Sequence, residues 1–302
     1  MTTMASARSL SSGKGPRDEN FPVASFLIRK RHRPVILDFY RFARAADDIA
    51  DHPSLPAPDR LNLLHGMQRT LEGQAELSPE ALALRETLAK NRLPAQHALD
   101  LLEAFRRDVT QLRYADWNEL MDYCRYSAMP VGRFVLDVHG ESHDTWPASD
   151  ALCAALQVIN HLQDCAKDYR ELDRVYIPLD LLHDNALEPC VLGATYATPA
   201  LRQVLTSLAC RTGSLLAQSQ IFANQIADYR LALEVAVIQR LAEDLNGLLL
   251  VRDPLSERVH HRPAEAARTT LLGAAQFVLR RRAAKPRHDA VPFQQHESRH
   301  GR

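Results

Sequence analysis

The chain has 302 residues, with 37 basic side chains against 37 acidic ones and therefore no formal net charge, 46% hydrophobic and 25% charged residues, and only 11 glycines. That balance excludes a dedicated nucleic-acid binder, so no nucleic acid is expected as a partner, and the composition excludes disorder over most of the length. Glycine stands at about half its usual share of roughly 7%, which disfavours turn-rich β architectures and sets an all-α expectation.

In chain order, residues 1–18 carry Ser, Gly and basic residues without periodicity and read as a disordered leader, as residues 283–302 read as a disordered tail. Between them apolar residues recur at helical intervals. Breaks at Pro34, Pro53 to Pro58, Pro79, Pro94, Asp116, Pro147, Pro178, Pro199 and Pro254 predict about eight long helices in a single domain over 19–282. The one β-like run, Arg174 to Pro178, is too short to found a sheet. The only G-x-G, Gly13 and Gly15, lies in the leader, so a bound phosphate must be held by a divalent metal on carboxylates or by arginines. Five scattered cysteines without C-x-x-C spacing suit free, mostly buried thiols in a reducing compartment. With no stretch of the roughly 18 apolar residues that a membrane span needs, a cytoplasmic protein is expected.

The first chemical signal is FYRFARAADDIAD, Phe39 to Asp51. Helical spacing puts Asp47 and Asp51 one turn apart on one face, with Asp48 beside them and Arg44 a turn earlier. One reading is a solvated face on which Arg44 pairs with Asp47 or Asp48. The other follows from the apolar residues around them, which make the helix largely buried, and buried carboxylates one turn apart require a cation.

The second signal is QVINHLQDCAKDYRELDRVYIP, Gln157 to Pro178, in a helix starting after Pro147. Asp164 and Asp168 repeat the spacing, and Asn160 lies one turn back on the same stripe. If the two helices face each other, four to five carboxylates form an oxygen-rich site suited to Mg²⁺ that keeps several waters.

These motifs, the opening ENFPVAS at Glu19 to Ser25, and YCRYSAMPVGRFVLDVHG at Tyr123 to Gly140 resemble the squalene and phytoene synthases, the head-to-head trans-isoprenyl diphosphate synthases. The resemblance runs from Asn20 to about Arg252 and is greatest to the bacterial hopanoid-pathway branch. It implies an all-α, isoprenoid-synthase-type helical bundle around a central active-site cavity. Gln163 stands where the wider family usually has arginine, and Asp173 with Arg174 where it usually reads Gly-Arg, with one extra residue after Asp168. Both departures are consistent with a branch specialised for a late step.

The resemblance implies a reaction in which presqualene diphosphate ionises, rearranges and is captured by water as hydroxysqualene, with Mg²⁺ and no NADPH. Asp47, Asp48, Asp51, Asp164 and Asp168 would hold the metal. Arg44, Arg133, Arg174 and Lys167 would donate to phosphate oxygens, and Phe21, Tyr40, Tyr123 and Tyr126 would face the cation. Tyr123 matches a tyrosine that the family uses near the reacting carbon and reads equally as a core residue. Gly132 would let a prenyl tail pass close to the backbone, while Pro130 and Gly132 could merely kink a helix. Asn160 or Gln163 would hold the attacking water.

The alternatives are head-to-head condensation of two farnesyl diphosphates and, far behind, a non-catalytic helical scaffold. His139 and His143 read as a loop rather than a zinc pair. The expected partners are a prenyl diphosphate substrate, other squalene-pathway enzymes, and a membrane surface met through the basic, apolar run Phe277 to Arg287.

Overall fold

A computed structural model describes residues 28–283, which leaves the predicted leader, the tail beyond residue 283 and Phe21 outside the described residues. The predicted breaks become helix boundaries. Pro34 opens α1 (Arg33–Ala50), the proline cluster separates it from α2 (Ala57–Leu71), and Ser78, whose side chain accepts the Ala81 N–H, caps α3 (Pro79–Asn91). Then follow α4 (Gln96–Thr110) and α5 (Trp117–Ser127), the latter capped by Asp116.

The segment predicted as one kinked helix is two. Pro130 cannot donate to the ladder, and the chain leaves helical geometry at Ala128 before α6 (Met129–His139), which ends on Gly140 at φ +71°. The long α7 (Trp146–Leu172) carries the second motif. The remainder is α8 (Leu179–His183), α9 (Pro199–Ser219), α10 (Phe222–Gln225), α11 (Tyr229–Val251) and α12 (Pro263–Ala283). Ten of these helices have eleven or more residues, against about eight expected: Pro130 separates α5 from α6, and a stretch without proline after Ser219 separates α9 from α11. The β-like run contributes one isolated bridge, Arg113 to Val175, and among the described residues no strand forms.

Two apolar cores result, one built by α1 to α4 with Phe134 of α6, the other by the helices from α5 onward around α7. The Phe39 ring stacks on Phe134 with centroids 3.9 Å apart and joins α1 to α6. All five cysteines are free, but Cys190 and Cys210 are exposed, so thiol burial is less general than expected.

Candidate active site

An apolar cavity of about 290 Å³ lies between α1, α6, α7, α10 and α11. From α1 it is lined by Ile36, Phe39, Tyr40 and Ala43, and from α7 by Ser149, Leu152, Cys153 and Leu156. Each of these helices continues the same stripe into acid. On α1, one and two turns beyond Ala43 come Asp47 and Asp51. On α7, Leu156 is followed at four-residue intervals by Asn160, Asp164 and Asp168. The two acidic ends lie within electrostatic reach of each other, since the charge of Asp51 contributes to raising Asp168. Along each of these helices the stripe therefore turns from hydrocarbon to carboxylate within two helical turns.

The carboxylates crowd one another. Burial, and then Asp51, push Asp47 up to about 7 in spite of Arg44; burial, and then Asp164, push Asp168 up to about 7 in spite of Arg174 and Lys167. Such groups are short of positive charge, and their donors are hard oxygens, which is the environment Mg²⁺ suits. No three His, Cys, Asp or Glu side chains among the described residues gather around one metal position. Paired carboxylate oxygens of this kind suit an ion bound through one or two carboxylates, with water and phosphate oxygens completing the shell.

Arg44 binds Asp47 at 2.8 Å and Asp48 at 3.2 Å, so the solvated-face pairing and the half-buried helix are both realised. Arg174 is buried and reaches Asp51 at 2.6 Å, the Asp108 carbonyl at 3.1 Å and the Ala50 carbonyl at 3.4 Å. It follows Asp173, which closes α7 at φ +51°, a left-handed conformation that glycine adopts most readily. Lys167 is exposed beside Asp168.

Several expected residues face elsewhere. Tyr123 is 3% exposed, does not line the cavity, and donates its hydroxyl to Asp108 at 2.9 Å, so it is a core residue of a buried network. Tyr126 lies between the Arg107 and Arg125 guanidinium groups, 4.4 and 5.0 Å from its ring centre. Arg133 forks onto Asp150 and covers Trp146, and Asp150 precedes Asp164 by fourteen residues, about 21 Å along α7. Gln163 turns its amide to the Val259 carbonyl in the α11–α12 connection, so it is not placed to hold a water in the cavity. Gly132 lines the cavity, yet a Cβ there would meet Ser149 Oγ at 2.5 Å and Cys153 Sγ at 2.6 Å; the glycine serves close packing of α6 on α7. His139 bonds the Val135 carbonyl and His143 pairs with Asp137, so the two histidines have different partners.

Two acids went unnoticed in the sequence. Asp108 of α4, 5% exposed, accepts from Tyr123 and from Tyr176 at 2.9 Å, and burial pushes it up to about 6 although Arg174 and both phenols pull it down. His161 stacks on Tyr176 at 3.6 Å and burial drives it down to about 3, so it is a neutral ring. Asp108 falls on the buried stripe Leu101–Ala104–Asp108, a signal that was available. The second acid, Glu234 of α11, lines the apolar cavity at 4% exposure.

A helical bundle with an apolar cavity, continued along α1 and α7 by aspartate pairs, is the arrangement of a prenyl diphosphate-utilising enzyme. Residues 15–265 match the squalene/phytoene synthase family profile, and the chain belongs to that family. Within it, the chain is 54% identical to the hydroxysqualene synthase of Rhodopseudomonas palustris over 93% of this chain and 97% of that one. It is 55% identical to the hydroxysqualene synthase of Zymomonas mobilis over 89% of this chain and 91% of the relative. The crystal structure of squalene synthase HpnC from Alicyclobacillus acidocaldarius superposes with a TM-score of 0.68 at 32% identity, covering 80% of this chain and 90% of that one.

Proposed function

We propose that this protein converts presqualene diphosphate to hydroxysqualene and diphosphate, using Mg²⁺ and no NADPH. The observation that carries the reading is the continuous stripe on α1 and α7, apolar at one end and acidic at the other, which matches a substrate with a long hydrocarbon and one diphosphate. The relatives named hydroxysqualene synthase support the choice of substrate and product.

In this reading Asp47 and Asp51, with Asp48 beside them, and Asp164 with Asp168 would hold Mg²⁺, which when bound neutralises charge on the departing diphosphate. Arg44, Lys167 and Arg174 add positive charge at the same end. Tyr40 and the apolar wall exclude water and present a ring face to the carbocation. Asn160 stands on the α7 stripe between the apolar and the acidic residues.

Product analysis tests the reading. Given Mg²⁺ and no NADPH, the protein is expected to yield hydroxysqualene from presqualene diphosphate and nothing from farnesyl diphosphate. Presqualene diphosphate or squalene formed from farnesyl diphosphate would move the assignment to the condensing reaction. No conversion of either by folded protein would favour a scaffold.

The same reading places residues 19–282 in one synthase domain of a cytoplasmic protein, peripheral to the inner membrane face, with other squalene-pathway enzymes as partners. No helix of the described residues is long and apolar enough to cross a membrane. Within the run Phe277 to Arg287 the Phe277 ring is buried and Leu279 is 65% exposed, and with Leu271, 71% exposed, two helical turns before it, Leu279 would supply the apolar contact. Binding to anionic lipid vesicles is expected to weaken about tenfold when both leucines become glutamine, in a sedimentation assay.

A further inference from the structure

The connection between α11 and α12, residues 252–262, runs past α7 at the second aspartate motif, and the function proposed above gives it no part. Val259, 2% exposed, belongs to the apolar core around α7, and its carbonyl accepts the Gln163 amide N–H. Gln163 is itself buried, and its Oε1 has no hydrogen-bond partner among the described residues. As filler, a buried glutamine costs free energy that leucine would not, so the bond to Val259 is what this residue supplies. Gln163 and Val259 each precede by one residue a group that carries chemistry, Asp164 of the motif and His260 of the connection. The bond therefore brings His260 to the acidic end of α7, where the Asp164 charge acts on its ring. The next ring lies against other charges, since Asp244 of α11 and Glu265 of α12 act on His261. His260 is half-buried. Its Nδ1 is sealed and makes no hydrogen bond among the described residues, which leaves Nε2 as the nitrogen open to a ligand. Burial and the neighbouring Arg258 hold the imidazole below its ordinary range in spite of Asp164, so at neutral pH it is an uncharged ring with one N–H to donate. Such a ring adds a donor beside the carboxylates without repelling Mg²⁺, as an ammonium would.

We propose that His260 binds the diphosphate of the substrate through its Nε2–H, and that Gln163 is the positioning residue that sets it there by holding Val259. The assignment rests on the function proposed above and adds a ligand contact from a third element, outside both aspartate motifs. The neutral imidazole donates one hydrogen bond to a phosphate oxygen that carries negative charge, a charge-assisted bond stronger than one between neutral groups. The role is confined to binding, and no covalent bond forms or breaks at His260.

Calorimetric binding of inorganic diphosphate to the full-length protein in the presence of Mg²⁺ tests this without turnover. His260→Ala is expected to weaken binding about tenfold. His260→Gln, whose amide N–H takes the place of Nε2–H, should recover most of the loss. Gln163→Leu should weaken binding by a similar factor, and Gln163→Leu combined with His260→Ala no further than either alone, because the two residues act in series. In nitrogen-labelled protein the His260 ring resonance should shift when diphosphate is added, and in Gln163→Leu it should stay in place. A His260→Ala protein that binds diphosphate as the unaltered protein does overturns the contact. Losses that multiply in the double variant overturn the positioning by Gln163. Should Gln163→Leu fail to fold, the two His260 variants decide: weakening in His260→Ala with no recovery in His260→Gln overturns the proposal equally. Unaltered protein that binds no diphosphate in the presence of Mg²⁺ would instead refute the proposed function itself, and this assignment with it.

Discussion

The two aspartate motifs share one spacing and lie within electrostatic reach of each other, yet they are neutralised in different ways. On α1, Arg44 binds Asp47 and Asp48 while Arg174 binds Asp51, so each acid has an arginine within 3.2 Å. On α7, Asp168 forms no arginine or lysine ion pair among the described residues and feels the charges of Lys167 and Arg174 from further off, while Asp164 lies one turn away. Asp47 and Asp168 nevertheless end in the same condition, both pushed up to about 7. Arginine on one side of a crowded cluster does not offset burial and a neighbouring carboxylate one turn away. The contrast also shows that the motifs are one device, because the arginine that holds the end of the first motif is supplied by the turn that follows the second.

The largest effect that bears on this comparison comes from removing one acid on each side. Asp51→Asn and Asp164→Asn are each expected to lower turnover of presqualene diphosphate about 10³-fold, with an unchanged helical circular dichroism spectrum. If either variant kept full activity, its motif would lose its part in the site.

Next in size is the link between the motifs. Arg174→Ala leaves the buried Asp108 and the end of α1 without their cation, and is expected to cost about 3 kcal/mol of stability, read as a lower urea midpoint. Arg174→Lys should recover only part, since one ammonium cannot span Asp51 and the carbonyls of Asp108 and Ala50.

The smallest effect is a pH dependence that separates metal-free from loaded protein. A carboxyl whose folded value is raised binds more protons folded than unfolded, so its stabilisation is complete below pH 4 and is lost as pH rises toward 7. For Asp47 and Asp168 the metal-free protein should therefore lose stability between about pH 4 and pH 7. Mg²⁺ with inorganic diphosphate should flatten that slope by favouring the ionised form. Equal slopes in thermal unfolding with and without them would show that the two acids do not share a cation.

Much of this arrangement was legible in the sequence because it is local. Pro34, Asp116, Pro147 and Pro199 act within one or two turns, by removing a donor or supplying a cap, and the helices begin at or beside them. The i, i+4 aspartates likewise needed only the helical period. Arg133 and Tyr126 were misplaced because their type suits a diphosphate or a cation, while their direction was set by Asp150, Trp146 and two arginines on other turns or other helices. Asp108 and Glu234 each sit on an apolar stripe, a pattern visible in one dimension whose meaning depends on what the stripe faces: for Asp108 two phenols, for Glu234 a cavity.

The sequence by itself determined the all-α class, most helix boundaries and both acidic pairs, since capping, proline geometry and the 3.6-residue period act between neighbours in the chain. Only the tertiary structure decided that the acids of α1 and α7 come within electrostatic reach of each other, that Arg174 crosses from the second motif to the first, and that Tyr123 and Gln163 turn away from the cavity. Those outcomes depend on desolvation and on partners far apart in the chain, 123 residues in the case of Arg174 and Asp51, and neither is a property of any short stretch of sequence.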